Sequence, residues 1–104
     1  MKYNKLVRDK IPAIISRSGG KPKYYQADTL QFQKALKKKL YEEVEEFCKA
    51  KEANDQMDEL ADILEVVEAL AQAYGLPRCL VQHAKRVKAE TRGRFDKRII
   101  LKEA

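Results

Sequence analysis

Apolar residues recur along this chain at spacings of three and four, and almost never alternate, which predicts helices rather than strands. Leu36, Leu40, Val44 and Phe47 form one such stripe inside a helix predicted from Thr29 to Ala50, with Asp28 as its N-cap. A short polar break at Lys51 to Asn54 separates it from a second long helix, capped by Asn54 or Asp55, running to Tyr74 and stopped by Gly75. Between Ile63 and Ala73 that helix is apolar nearly all round, so burial on several sides is expected. Arg8 to Ser18 reads as a short helix with Pro12 in its first turn and Gly19-Gly20 as its stop. Pro77 opens a further helix to Thr91 or Arg92. Residues 1–7 read as extended. Two segments, Lys23 to Ala27 and Phe95 to Leu101, suit a small two-stranded appendage. The expectation is therefore all-α: an antiparallel helical bundle, with that appendage, completed by oligomerisation.

Composition agrees with few, long, amphipathic elements. Charged residues make up 37% of the chain, with four Gly and three Pro to supply turns. At 104 residues there is enough chain for one core, so 1–104 is read as a single domain. No segment has the length and apolarity of a membrane span, and Met1 to Lys5 has no apolar secretory region. Cys48 and Cys79 are read as buried thiols in a reducing compartment, which makes a cytoplasmic protein the expectation.

The net charge of +6 conceals a division that does change the picture. Residues 1–23 hold seven basic groups against Asp9 alone, and residues 85–98 hold seven against Glu90 and Asp96. The stretch between, 24–84, holds twelve acidic groups against seven basic ones. A nucleic-acid binder has use for the basic ends but none for the acidic centre. A site for a metal and a polyphosphate needs both.

The acids carry the chemistry. Glu42-Glu43-Val44-Glu45-Glu46 lies on the first long helix and Glu59-Leu60-Ala61-Asp62 on the second. Residues three apart on a helix are neighbours, so Glu43 with Glu46, and Glu59 with Asp62, each make a two-pronged oxygen donor. If the connection centres between residues 52 and 53, Glu46 comes level with Glu59 and Glu43 with Asp62. At about 100° per residue Glu43 falls within the stripe of Leu36, Leu40 and Phe47. Asp62 likewise falls with Val66, Ala69 and Ala73. Carboxylates turned towards a core repel one another unless a cation joins them, and oxygen donors alone suit Mg²⁺, with Mn²⁺ able to substitute. Glu45, Glu52 and Glu65 read as solvated. His83 with Cys79 makes half a zinc site and lacks the other half.

With these motifs the chain resembles the MazG-like nucleoside triphosphate pyrophosphohydrolases, an all-α group. Their pattern is EExxE followed by ExxD on two adjacent helices. The opening Lys5-Leu6-Val7-Arg8-Asp9-Lys10-Ile11-Pro12 is similar to a phosphoribosyl-ATP pyrophosphohydrolase-like branch, as is Lys85 to Leu101 with Lys88, Arg92-Gly93 and Phe95. The resemblance implies metal-dependent hydrolysis at the α-phosphorus of a nucleoside triphosphate or related nucleotide, releasing a monophosphate and pyrophosphate. It implies Glu43, Glu46, Glu59 and Asp62 as metal ligands, with Glu42 holding a second metal or orienting the attacking water. It also implies a homodimer or homotetramer.

The basic ends then acquire a role. Lys85, Lys88 and Arg92 share one helix face, and Lys5, Arg8 and Lys10 lie near the first short helix. These are the candidates for holding phosphates, Arg8 and Lys88 foremost. Tyr24, Tyr25 and Tyr41 are candidates for stacking on a base or for packing. Two other readings remain beside a triphosphate pyrophosphohydrolase: activity on phosphoribosyl-ATP, and a non-enzymatic basic helical protein that binds nucleic acid.

Overall fold

A computed structural model describes residues 4–104. It contains four helices: α1 (Ile11–Arg17), α2 (Thr29–Lys49), α3 (Ala53–Ala73) and α4 (Arg78–Arg92). The fold class is all-α, as the periodicity predicts. Of the segment read as extended, residues 1–3 lie outside the described residues.

The helix ends follow local chemistry. Asp28 caps α2 through a reciprocal capping box: its side chain accepts from the Gln31 backbone N–H, and the Gln31 side chain accepts from the Asp28 N–H. Pro12 sits in the first turn of α1, where its missing N–H costs nothing. Gly75, at φ 68°, ends α3, and the Leu76 N–H returns to the Ala71 carbonyl at 2.8 Å. Neither Asn54 nor Asp55 caps α3. The helix begins earlier, at Ala53, after an extended Glu52 that makes no side-chain cap. Gln56 instead bonds back to the Ala50 carbonyl at 3.3 Å, closing the connection from inside the helix.

α2 and α3 form an antiparallel hairpin and supply nearly all the packing. At the end away from the connection, the Gln33 side chain donates to the Ala73 carbonyl at 3.0 Å and Lys37 lies over the Tyr74 ring at 5.2 Å. Between these ends Leu36, Val66 and Ala71 form the buried apolar core. α4 meets only α3 among the helices, with Arg78 3.2 Å from Glu68, and buries no residue of its own.

Four expectations need correction. No strand forms among the described residues. Phe95 to Leu101 turns on itself, with the Arg98 N–H bonded to the Phe95 carbonyl and Arg98 at φ 55°, so it offers no straight edge to Lys23–Ala27. Within this chain the α3 stretch from Ile63 to Ala73 is not covered on several sides: Leu64 is 66% exposed, on a face that neither α2 nor α4 covers. Val44 points outward, leaving the α2 stripe to Leu36, Leu40 and Phe47. Cys48 and Cys79 are exposed free thiols, both on faces that no other element covers.

The result is elongated. Its radius of gyration is 17.6 Å, with extents of 56 × 35 × 22 Å, where a compact domain of about 100 residues has about 13 Å. No described helix is long and apolar enough to cross a membrane.

Candidate active site

The chemistry concentrates where α2 and α3 face each other near their connected ends. Helix ends at Lys49 and Ala53 centre the connection on Lys51, earlier than the point between 52 and 53. Glu43 faces both Glu59 and Asp62, which lie one turn apart on α3. One oxygen from each of Glu43, Glu59 and Asp62 lies within 4.8 Å of the others. Glu46 stays at the rim, exposed, and with Glu59, Asp55, Asp58, Lys49 and Ala50 lines an adjoining open groove. Asp55 and Asp58 were not singled out by motif; their spacing to Glu59 along α3 is the signal that places them at this end.

Burial makes the cluster more than a solvated acidic face. Glu43 is 9% exposed, turned inward on the side of Leu36 as its angular position predicts. Glu59 Oε2 is sealed from solvent and has no hydrogen-bond partner. A side-chain hydrogen bond with Glu43, which needs a proton on one of the two carboxyls, is the main reason the Glu59 pKa rises from 4.5 to about 7. Loss of solvent around Glu59 and the charges of Glu43, Asp62 and Glu46 push the same way.

Two cations already answer this charge. Arg8 donates to Asp62 Oδ1 at 2.7 Å and approaches Glu65 at 3.8 Å. Lys39 lies 3.4 Å from Glu43, one helical turn before it. Arg8 was legible as a phosphate candidate from its motif, but its pairing with Asp62 spans 54 residues and needed the fold. Lys39 was missed, although an i, i+4 Lys–Glu spacing carries the signal. Neither cation bonds the buried Glu59 oxygen.

Other candidates are placed as follows. Glu42 is half-buried beside Glu43 and lines a second groove with Lys5. Among the described residues no ion pair joins Lys10, Lys85, Lys88 or Arg92 to the cluster. Lys85, Lys88 and Arg92 stand exposed on α4, which does not touch α2. Glu45 pairs with Lys49 at the surface, as expected of a solvated acid. Tyr24, Tyr25 and Tyr41 are all exposed. His83 and Cys79 are exposed and belong to no metal-binding group among the described residues.

Acids from two adjoining helices converge at this point, and the sequence profile of the phosphoribosyl-ATP pyrophosphohydrolases matches residues 7–87. The chain belongs to this family. That places it in the all-α MazG-like superfamily and gives it the role of a pyrophosphohydrolase acting on a nucleotide. The match spans the Arg8 segment, both acidic motifs and most of α4, and so covers every element that contributes to the cluster. No curated protein and no solved structure gives a significant match.

Proposed function

We propose that this member of the family is a magnesium-dependent nucleoside triphosphate pyrophosphohydrolase, in which water attacks the α-phosphorus and pyrophosphate leaves. The observation that carries the reading is the convergence of Glu43, Glu59 and Asp62, with one Glu59 oxygen buried and unpartnered. Such a donor set fits a hard divalent ion, since a cation bound by oxygen donors offsets the mutual repulsion of crowded carboxylates. Glu43, Glu59 and Asp62 would hold Mg²⁺ or Mn²⁺, and Glu46 completes the set from the rim. When bound, the ion supplies charge neutralisation at the phosphates and a more acidic bound water.

The protein's own residues supply the remainder. Glu42 is the general base, taking the proton of the attacking water as the bond from the α-phosphorus to its bridging oxygen breaks. Arg8 passes from Asp62 to the phosphates, since a guanidinium matches phosphate oxygens two at a time. Lys5 and Lys10, on the same segment, add positive charge. Lys85, Lys88 and Arg92 form a second cationic face that supports the nucleotide from α4. The reaction is chiefly positioning and charge stabilisation, which suits side chains mounted on two rigid helices.

Pyrophosphate release is expected from at least one member of a panel of nucleoside triphosphates with Mg²⁺ or Mn²⁺, and none with chelator. The family's own description makes phosphoribosyl-ATP the second substrate to include. Release from phosphoribosyl-ATP alone would replace the triphosphate reading. Release from neither would overturn both.

We further propose that the active form is a homodimer or homotetramer. Met57, Leu60, Leu64 and Val67 recur at spacings of three and four along an exposed α3 face. Leaving that stripe in water forfeits hydrophobic stabilisation that a second copy recovers. Sedimentation velocity is expected to give at least twice the chain mass of 12.0 kDa; a 12.0 kDa species at all concentrations would refute it.

A further inference from the structure

Among the described residues, the chain before α2 is hydrogen-bonded to the hairpin through a single side chain, Arg8. Asn4, Lys5 and Leu6 lie along α2 beside Ala35 and Lys38. Two residues further on, the Arg8 guanidinium reaches α3, 2.7 Å from Asp62 and 3.8 Å from Glu65. The segment thus crosses from one helix of the hairpin to the other, next to the acidic cluster. The Arg8 carbonyl accepts from the Ile11 N–H, which ties Arg8 to the first turn of α1.

Little else holds α1 in place. It buries no side chain and, among the described residues, packs against no other helix. Behind it Gly19 takes a φ of 90°, and residues 21–27 form neither helix nor strand, so α1 can shift without dragging α2. The partner of Arg8 gives this tether its meaning, because Asp62 is one of the three converging acids. A carboxylate oxygen that accepts a short hydrogen bond from a guanidinium has less electron density to give a metal ion. Guanidinium and metal therefore compete for Asp62.

We infer that Arg8 is a latch: it holds residues 4–18 across the hairpin in the metal-free protein, and metal loading at Asp62 releases them. This rests on the proposed metal-dependent reading and goes beyond it, to how the site is kept closed. By linkage, a contact that the metal must break weakens metal binding by the same free energy. The released segment carries Arg8 with it, free to turn towards a bound nucleotide.

Two measurements on the full chain without nucleotide test the latch: calorimetric titration with Mn²⁺, and hydrogen exchange of residues 4–18 read by mass spectrometry. Arg8→Gln is expected to bind Mn²⁺ about threefold to fivefold more tightly, the upper range for one exposed ion pair. Arg17→Gln removes the same charge from the last turn of α1 and breaks no ion pair, so its affinity is expected to match the native one. Mn²⁺ is expected to speed exchange of residues 4–18 in the native chain, a result that needs no variant to fold. In Arg8→Gln exchange is expected to be fast already and indifferent to Mn²⁺. Equal or weaker Mn²⁺ binding by Arg8→Gln would make Arg8 a positioning residue for Asp62 and overturn the inference, leaving the metal site standing. Equal tightening in Arg17→Gln, or native exchange that Mn²⁺ slows or leaves unchanged, would overturn it too. Mn²⁺ binding by none of these proteins would overturn the metal site, and the latch with it.

Discussion

Glu59→Gln is expected to abolish turnover while making the metal-free protein more stable. Both effects follow from one carboxylate. Glu59 supplies the buried oxygen of the cluster, and the amide offers a weaker, uncharged donor. Loss of one preorganised electrostatic group in an active site costs about 10²–10³ in rate, and a fall of at least that order is expected here. Without a metal the same substitution removes a charge crowded by Glu43, Asp62 and Glu46.

The pH dependence has a definite sign. The Glu59 pKa is raised in the folded chain, so its contribution to stability is fully present below 4.5 and is lost as pH rises through about 7. The metal-free native protein should thus lose thermal stability between these values, and Glu59→Gln should flatten that loss. Magnesium should stabilise the native chain more at about pH 8 than at about pH 5, because ligands bind ionised. Thermal melts of both proteins, with and without Mg²⁺, check all of this. A variant that melts below the native protein at about pH 8 without metal would show that the cluster is not electrostatically strained.

Leu36→Ala is the second large effect, and it falls on stability. Leu36 is 2% exposed and sits in an apolar core whose other buried members are Val66 and Ala71. Removing a buried leucine side chain costs about 2–5 kcal/mol, the upper part where neighbours cannot collapse into the space. Two helices held by so small a core have little else to redistribute. Against a typical total of about 5–15 kcal/mol, the variant is expected to lose more than about 10 °C in Tm. Metal binding should weaken with it, because Glu43 lies two turns along the same face. A Tm within about 2 °C of the native value would mean that the exposed α3 stripe, covered by a second copy, carries the stability instead.

Much of this protein was legible in its sequence. Helical periodicity, the Asp28 cap, Pro12 and Pro77 at helix starts and Gly75 at a helix stop are local matters, decided by backbone conformation and by residues within one turn. The inward direction of Glu43 was legible for the same reason, since angle around a helix depends on residue number alone. The acidic motifs and the opening segment also carried the family.

What tertiary structure decided was register and cover. The fold set Glu43 against both Glu59 and Asp62 and left Glu46 exposed at the rim. Spacing within each helix cannot show that, because it says nothing of how two helices slide past each other. The Arg8–Asp62 pair and the groove beneath Asn4 to Leu6 depend on chain reversals far apart in sequence. Cover is undetermined for a related reason. An apolar run such as Ile63 to Ala73 records that surface is to be removed from water, but the hydrophobic effect has no direction and does not name the partner. Within one chain α2 covers a single face of that run. The strands expected at Lys23–Ala27 and Phe95–Leu101 failed on the same ground: a strand needs a paired neighbour to satisfy its backbone, and the fold sets none beside them.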